Sequence, residues 1–126
     1  MLFRSSVKTR SFRQGEDIIK QGEIATFCYV ITSGSAEVIL NRGRKNESLI
    51  ASLGEGDLFG EIGLLDEEDK KRTATVTASK NLTCLEIDAT TFADLVDSKT
   101  GDYRSEATSS KIRQLVSLRL SQTAKD

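Results

Sequence analysis

From Val7 to Asp88 the apolar residues come in short runs set apart by glycine-bearing turns: VKTRSF, IIKQGE, TFCYVIT, AEVIL and SLIASL, then RTATVTA and TCLEI. RQGED, SGS, NRGRKNE and GEGD fall between them. Short β-branched and aromatic runs at such spacing predict an antiparallel sandwich or barrel. YVI and VIL are apolar without alternation and are expected to be buried on both faces. LNRGRKNES predicts a polar hairpin loop whose basic residues form a solvated tip.

After Asp88 the period changes. DATTFADLVDS offers Asp88 as an N-cap, Phe92, Leu95 and Val96 at helical spacing, and Gly101 as a stop, which predicts a helix over 89–98. A second helix is predicted over 105–124, with Ile112, Leu115, Val116 and Leu120 on one stripe and Leu118 at its margin. Sheet first and helices last is an α+β arrangement, mainly β. The last stripe then either completes the core or forms a part that moves against the barrel.

Composition narrows the function. A chain of 126 residues, 37% hydrophobic, predicts one compact domain over 1–126. A formal net charge of −1 with interspersed signs gives no broad basic field, so direct nucleic-acid binding is not expected. No apolar run approaches a membrane span, and MLFRSSVKTRSFR lacks the apolar centre of a signal peptide. A cytoplasmic protein without membrane insertion is expected. Cys28 and Cys84 are too few and too far apart for a disulfide framework and read as small buried hydrophobes. The chain has no histidine, which removes Ser-His and Cys-His catalysis and most transition-metal sites. It also removes the histidine cluster that a metal-dependent jelly-roll enzyme of the cupin type would need.

The stretch LFGEIGLLDEEDKKRTATVTA, Leu58 to Ala78, carries the candidate chemistry. Gly54, Gly56 and Gly60 permit positive φ and close approach of backbone to a ligand. Ile62 to Leu65 fits one helical turn, whose leading N–H groups favour an anion. Arg72 offers a guanidinium fork for two phosphate oxygens, and Glu61 offers acceptors for sugar hydroxyls. The alternative is an Arg72–Glu61 salt bridge across a turn, with the glycines serving the turns only. No Walker-type loop or dinucleotide fingerprint is present.

RQGEDIIKQGEIATFCYVITSGSAEVIL, LGEGDLFGEIGLLD and RTATVTA resemble, in order and spacing, the signature blocks of the cyclic nucleotide-binding domain family. That module occurs in protein kinase regulatory subunits, cyclic nucleotide-gated channels and bacterial transcription regulators of the catabolite activator type. The resemblance spans roughly Val7 to Thr123. It implies an eight-stranded antiparallel jelly-roll barrel over 7–88, a phosphate-binding cassette over 59–74, a B-helix over 89–98 and a C-helix over 105–124.

By motif position, Gly60 would let the cassette approach the ligand and Glu61 would hold the ribose 2′-hydroxyl. Arg72 would pair the cyclic phosphate, and backbone groups of Ile62, Gly63 and Ala74 would complete the cradle. Thr73 could reach the guanine of cyclic GMP, but threonine also occurs in members that prefer cyclic AMP, which is slightly favoured here. Thr123 or Gln122 could offer a polar contact to the purine. The resemblance implies a regulatory module rather than an enzyme, with no cofactor beyond cyclic AMP or cyclic GMP, a C-helix that closes as a lid and can pair in a dimer, and an effector on another chain or a larger parent.

Two features depart from the pattern. Glu61 and Arg72 are separated by ten residues, and the extra length is the acidic run Asp66 to Asp69. The stretch before the barrel is too short for the usual N-terminal helices. Carboxylates near the site would weaken anion binding, so the other reading is a degenerate barrel that serves protein interaction or dimerisation and binds no nucleotide.

Overall fold

The computed structural model describes residues 7–65 and 69–95. In chain order these form β1 (Val7–Phe12), β2 (Asp17–Ile19), β3 (Phe27–Ser33), β4 (Ala36–Leu40), β5 (Ser48–Leu53), β6 (Leu58–Phe59), α1 (Ile62–Leu65), β7 (Thr75–Ala78), β8 (Leu82–Asp88) and α2 (Ala89–Leu95). The strands make two four-stranded antiparallel sheets, ordered β1-β8-β3-β6 and β2-β7-β4-β5. The expected jelly roll is therefore built as two facing sheets and not as one continuously hydrogen-bonded barrel.

The period of two in β8 explains why the fold has two cores. Leu82 and Cys84 point between the sheets and pack with Tyr29, Ile31, Phe59, Val76 and Ala78. Leu85 and Ile87 point the other way and join Val7, Cys28, Val30 and Phe92 of α2. YVI is buried because Tyr29 and Ile31 serve the first cluster and Val30 the second. Both cysteines are free and buried, as small hydrophobes.

VIL departs from expectation. Val38, Ile39 and Leu40 are only partly buried, and of these only Val38 packs on the core between the sheets. The cause is their neighbour β5, an edge strand on which Leu49 and Ile50 are more than half exposed. The basic hairpin tip also differs from a purely solvated loop, because Arg42 turns back to ion-pair with Asp17 and to donate to Thr77 Oγ1 at 2.6 Å.

The turns that bring the site together depend on local chemistry. Gly34, between β3 and β4, has φ +90°, and a Cβ there would lie 2.2 Å from the Asn81 carbonyl oxygen, so the hairpin needs glycine for space as well as conformation. Asp88 Oδ1 accepts a 2.8 Å bond from Thr91 N and so caps α2 as expected. Among the described residues no helix is long and apolar enough to cross a membrane. Asp66 to Glu68, the predicted stripe over 105–124, and Gln122 and Thr123 lie outside the described residues.

Candidate functional site

The site begins with a strand too short to read from sequence. β6 consists of Leu58 and Phe59 alone, paired with Val30 and Tyr29 of β3. Gly60 then leaves the sheet at φ +82°, a conformation costly for any residue with a Cβ. Ile62 begins the single turn α1, the helical turn expected from IGLL.

The second half of the site is pinned by backbone bonds. Arg72 N donates to Glu23 O at 2.7 Å, Gly22 N to Arg72 O at 2.8 Å, and Ala25 N to Lys70 O at 2.7 Å. Gly63 fits against this ladder only because it lacks a side chain, since a Cβ would lie 2.6 Å from Ala25 Cβ. The stretch from Lys70 to Arg72 is thus held against the segment that connects β2 to β3, while Gly63 of α1 packs onto it.

Arg72 is 7% exposed. Its Nη1 donates to Gly60 O and its Nη2 to Phe27 O, each at 2.6 Å. Among the described residues it has no ion pair, so the alternative of a structural Arg72–Glu61 salt bridge is not what the chain adopts. Burial lowers the pKa of the guanidinium, and Tyr29, Cys28, Glu23 and Glu61 act in the opposite sense. The result is a buried cation held in place by neutral carbonyls, with more N–H donors than these two bonds use.

This cation lines an open cleft of about 150 Å³. Gly60, Glu61, Ile62, Gly63, Arg72, Thr73 and Ala74 all line it, so the structure brings together every expected site residue that it describes. Val38, Leu53 and Val76 add an apolar portion. Thr73 is exposed, Glu61 is half-buried, and Ile62 is 56% exposed beside the opening. Thr123 falls outside the described residues. Asp69, the described end of the acidic run, turns its Oδ1 to Lys71 N at 3.0 Å.

Sequence reading missed Phe27, because its contribution is a backbone carbonyl and any residue supplies one. Lys71, which with Lys70 was expected to screen the acidic run, lines the cleft beside Arg72.

Comparison with known proteins identifies the family of the fold. The family model of the cyclic nucleotide-binding domain matches residues 9–99. The chain is 32% identical over 97 residues to a cGMP-dependent protein kinase of Plasmodium berghei, covering 76% of this chain and 10% of that one. It is 30% identical over 95 residues to a cAMP-dependent protein kinase regulatory subunit of Debaryomyces hansenii, covering 75% of this chain and 20% of that one. Among solved structures, the regulatory subunit of a cAMP-independent protein kinase A from Trypanosoma cruzi, bound to guanosine, superimposes with a TM-score of 0.63 at 25% identity. That superposition covers 71% of this chain and 31% of the other. By the extent of this match, and by its two-sheet fold, the chain belongs to the cyclic nucleotide-binding domain family.

Proposed function

We propose that the cleft binds a 3′,5′-cyclic nucleotide, with cyclic AMP slightly favoured over cyclic GMP, and that the chain is a regulatory module without catalysis. The observation that carries the reading is Arg72: a buried guanidinium with no carboxylate partner among the described residues, lining a cleft that also holds Gly60, Glu61 and Thr73. A buried cation is unfavourable until an anion neutralises it, and a cyclic phosphate is an anion that fits a guanidinium fork.

In this reading Arg72 pairs the phosphate and the N–H groups of Ile62, Gly63 and Ala74 complete the cradle. Glu61 accepts from the ribose 2′-hydroxyl, and the hydroxyl of Thr73 contacts the base when it is guanine. Val38, Leu53 and Val76 offer apolar surface to the purine. The C-helix over 105–124 closes over the base, with Thr123 as a polar contact, and pairs with a second copy in a dimer. Binding shifts the population towards the closed arrangement, and an effector on the same or another chain responds. The module works in the cytoplasm, requires no cofactor, and leaves its ligand unchanged.

The likeness to a guanosine-bound, cAMP-independent regulatory subunit supports a second ligand class, the uncharged nucleoside. Calorimetric titration with cyclic AMP, cyclic GMP and guanosine, each repeated on Arg72→Leu, separates the readings. Cyclic nucleotide binding that vanishes in the variant supports the phosphate role. Guanosine binding that survives it would favour the nucleoside, and no heat from any ligand in folded protein would favour the interaction module.

A further inference from the structure

The inner face of the first sheet carries one polar rung in apolar surroundings. Glu86 of β8, Tyr29 of β3 and Phe59 of β6 are register partners across adjacent strands, so their side chains share a face. Glu86 is 5% exposed. Its Oε2 accepts from the Tyr29 hydroxyl at 3.2 Å and from Arg10 Nη1 at 2.8 Å. The Tyr29 ring stacks on Phe59, with centroids 5.2 Å apart and planes 20° from parallel. Its ion-pair partner Arg10 is about half-exposed, and a pair open to solvent on one side adds little stability, so the pair alone does not explain a carboxylate buried at Glu86.

The rung ends at the cleft. Gly60 follows Phe59, and a Cβ on Gly60 would lie 3.5 Å from Tyr29 Cδ2 and 3.1 Å from Arg72 Nη1. Phe27, two residues before Tyr29 on the same strand, supplies the carbonyl that accepts from Arg72 Nη2. Both acceptors that hold the guanidinium are thus attached to the Tyr29–Phe59 pair by one or two residues of backbone.

We infer that Tyr29, fixed by Glu86 and Arg10, is a positioning residue for Arg72: its ring sets where Gly60 turns out of β6, and so where the Gly60 carbonyl meets the guanidinium. The inference rests on the reading of Arg72 as the anion partner for its link to ligand affinity, but not for the geometry. Burial, and then Glu86, push the Tyr29 pKa up, so the phenol remains a proton donor at ordinary pH. The ring is therefore anchored at its hydroxyl end while its edge meets Gly60.

The test uses the whole chain and reads two quantities: exchange of the Arg72 guanidinium protons by ¹⁵N–¹H spectroscopy without ligand, and affinity for cyclic AMP by calorimetry. Tyr29→Phe keeps the ring and removes the hydroxyl that ties it to Glu86; Tyr29→Leu removes the ring. Phe92→Leu, in the outer core, is the stability control. The expected result is faster Arg72 exchange in both Tyr29 variants and not in the control, with affinity falling about tenfold for Tyr29→Leu and less for Tyr29→Phe, as for loss of one or two ordered contacts.

Tyr29 variants that lower the melting temperature as Phe92→Leu does, yet leave Arg72 exchange unchanged, would overturn the inference. Should Tyr29→Leu fail to fold, Tyr29→Phe decides by the same exchange readout. If the wild type binds no cyclic nucleotide while Arg72 exchange still responds to Tyr29 alone, the positioning role stands and only the ligand reading falls.

Discussion

Gly60 and Arg72 define each other's position: the Gly60 carbonyl accepts from Arg72 Nη1 at 2.6 Å, and a Cβ on Gly60 would approach that nitrogen to 3.1 Å. Gly60 also sits at φ +82°. Gly60→Ala should therefore lower stability by about 1–2 kcal/mol through backbone strain. It should also weaken nucleotide binding, because the guanidinium must give way. Urea unfolding and a cyclic AMP titration on the same variant check both parts. Full stability with full affinity would show that neither constraint operates.

Thr73 is exposed at the cleft, so its hydroxyl is available to a ligand. Thr73→Ala should reduce affinity for cyclic GMP by about 1 kcal/mol, a typical net value for one hydrogen bond, and change cyclic AMP less. Paired titrations with the two nucleotides measure the difference. Equal losses would remove the hydroxyl from base recognition.

Asp88 joins β8 to α2 and caps the helix through Thr91 N. Asp88→Ala should cost about 1 kcal/mol, whereas Asp88→Asn, which keeps a capping oxygen, should cost less. Thermal or urea unfolding ranks the two. A larger loss for Asn than for Ala would mean that capping is not the main role of Asp88.

Burial pushes the thiol pKa values of Cys28 and Cys84 up from the ordinary thiol range to about 12 each. The folded state therefore holds these protons at pH values where the unfolded chain releases them. Their contribution to stability is fully present below about pH 9 and is lost as pH rises through about 12. Urea midpoints should fall between pH 9 and pH 11, and a thiol reagent at pH 8 should leave both cysteines unmodified until the chain unfolds. Rapid modification of the native protein would contradict the burial.

The longer elements are legible along the chain, because each is an apolar or β-branched run bounded by turn residues, or carries a cap. AEVIL, SLIASL and TFCYVIT became strands, IGLL became one helical turn, and Asp88 took the N-cap. The signature blocks also marked Gly60 to Gly63 and Arg72 to Ala74 as one site, since a resemblance in order and spacing carries information that single residues do not. That Arg72 rests on the carbonyls of Gly60 and Phe27 and not on Glu61 emerges only from the folded chain. The same is true of β6, a strand of only two residues, and of the alignment of Glu86, Tyr29 and Phe59 behind the cleft. Those outcomes depend on backbone carbonyls and on register between strands far apart in the chain, and neither leaves a mark in side-chain pattern.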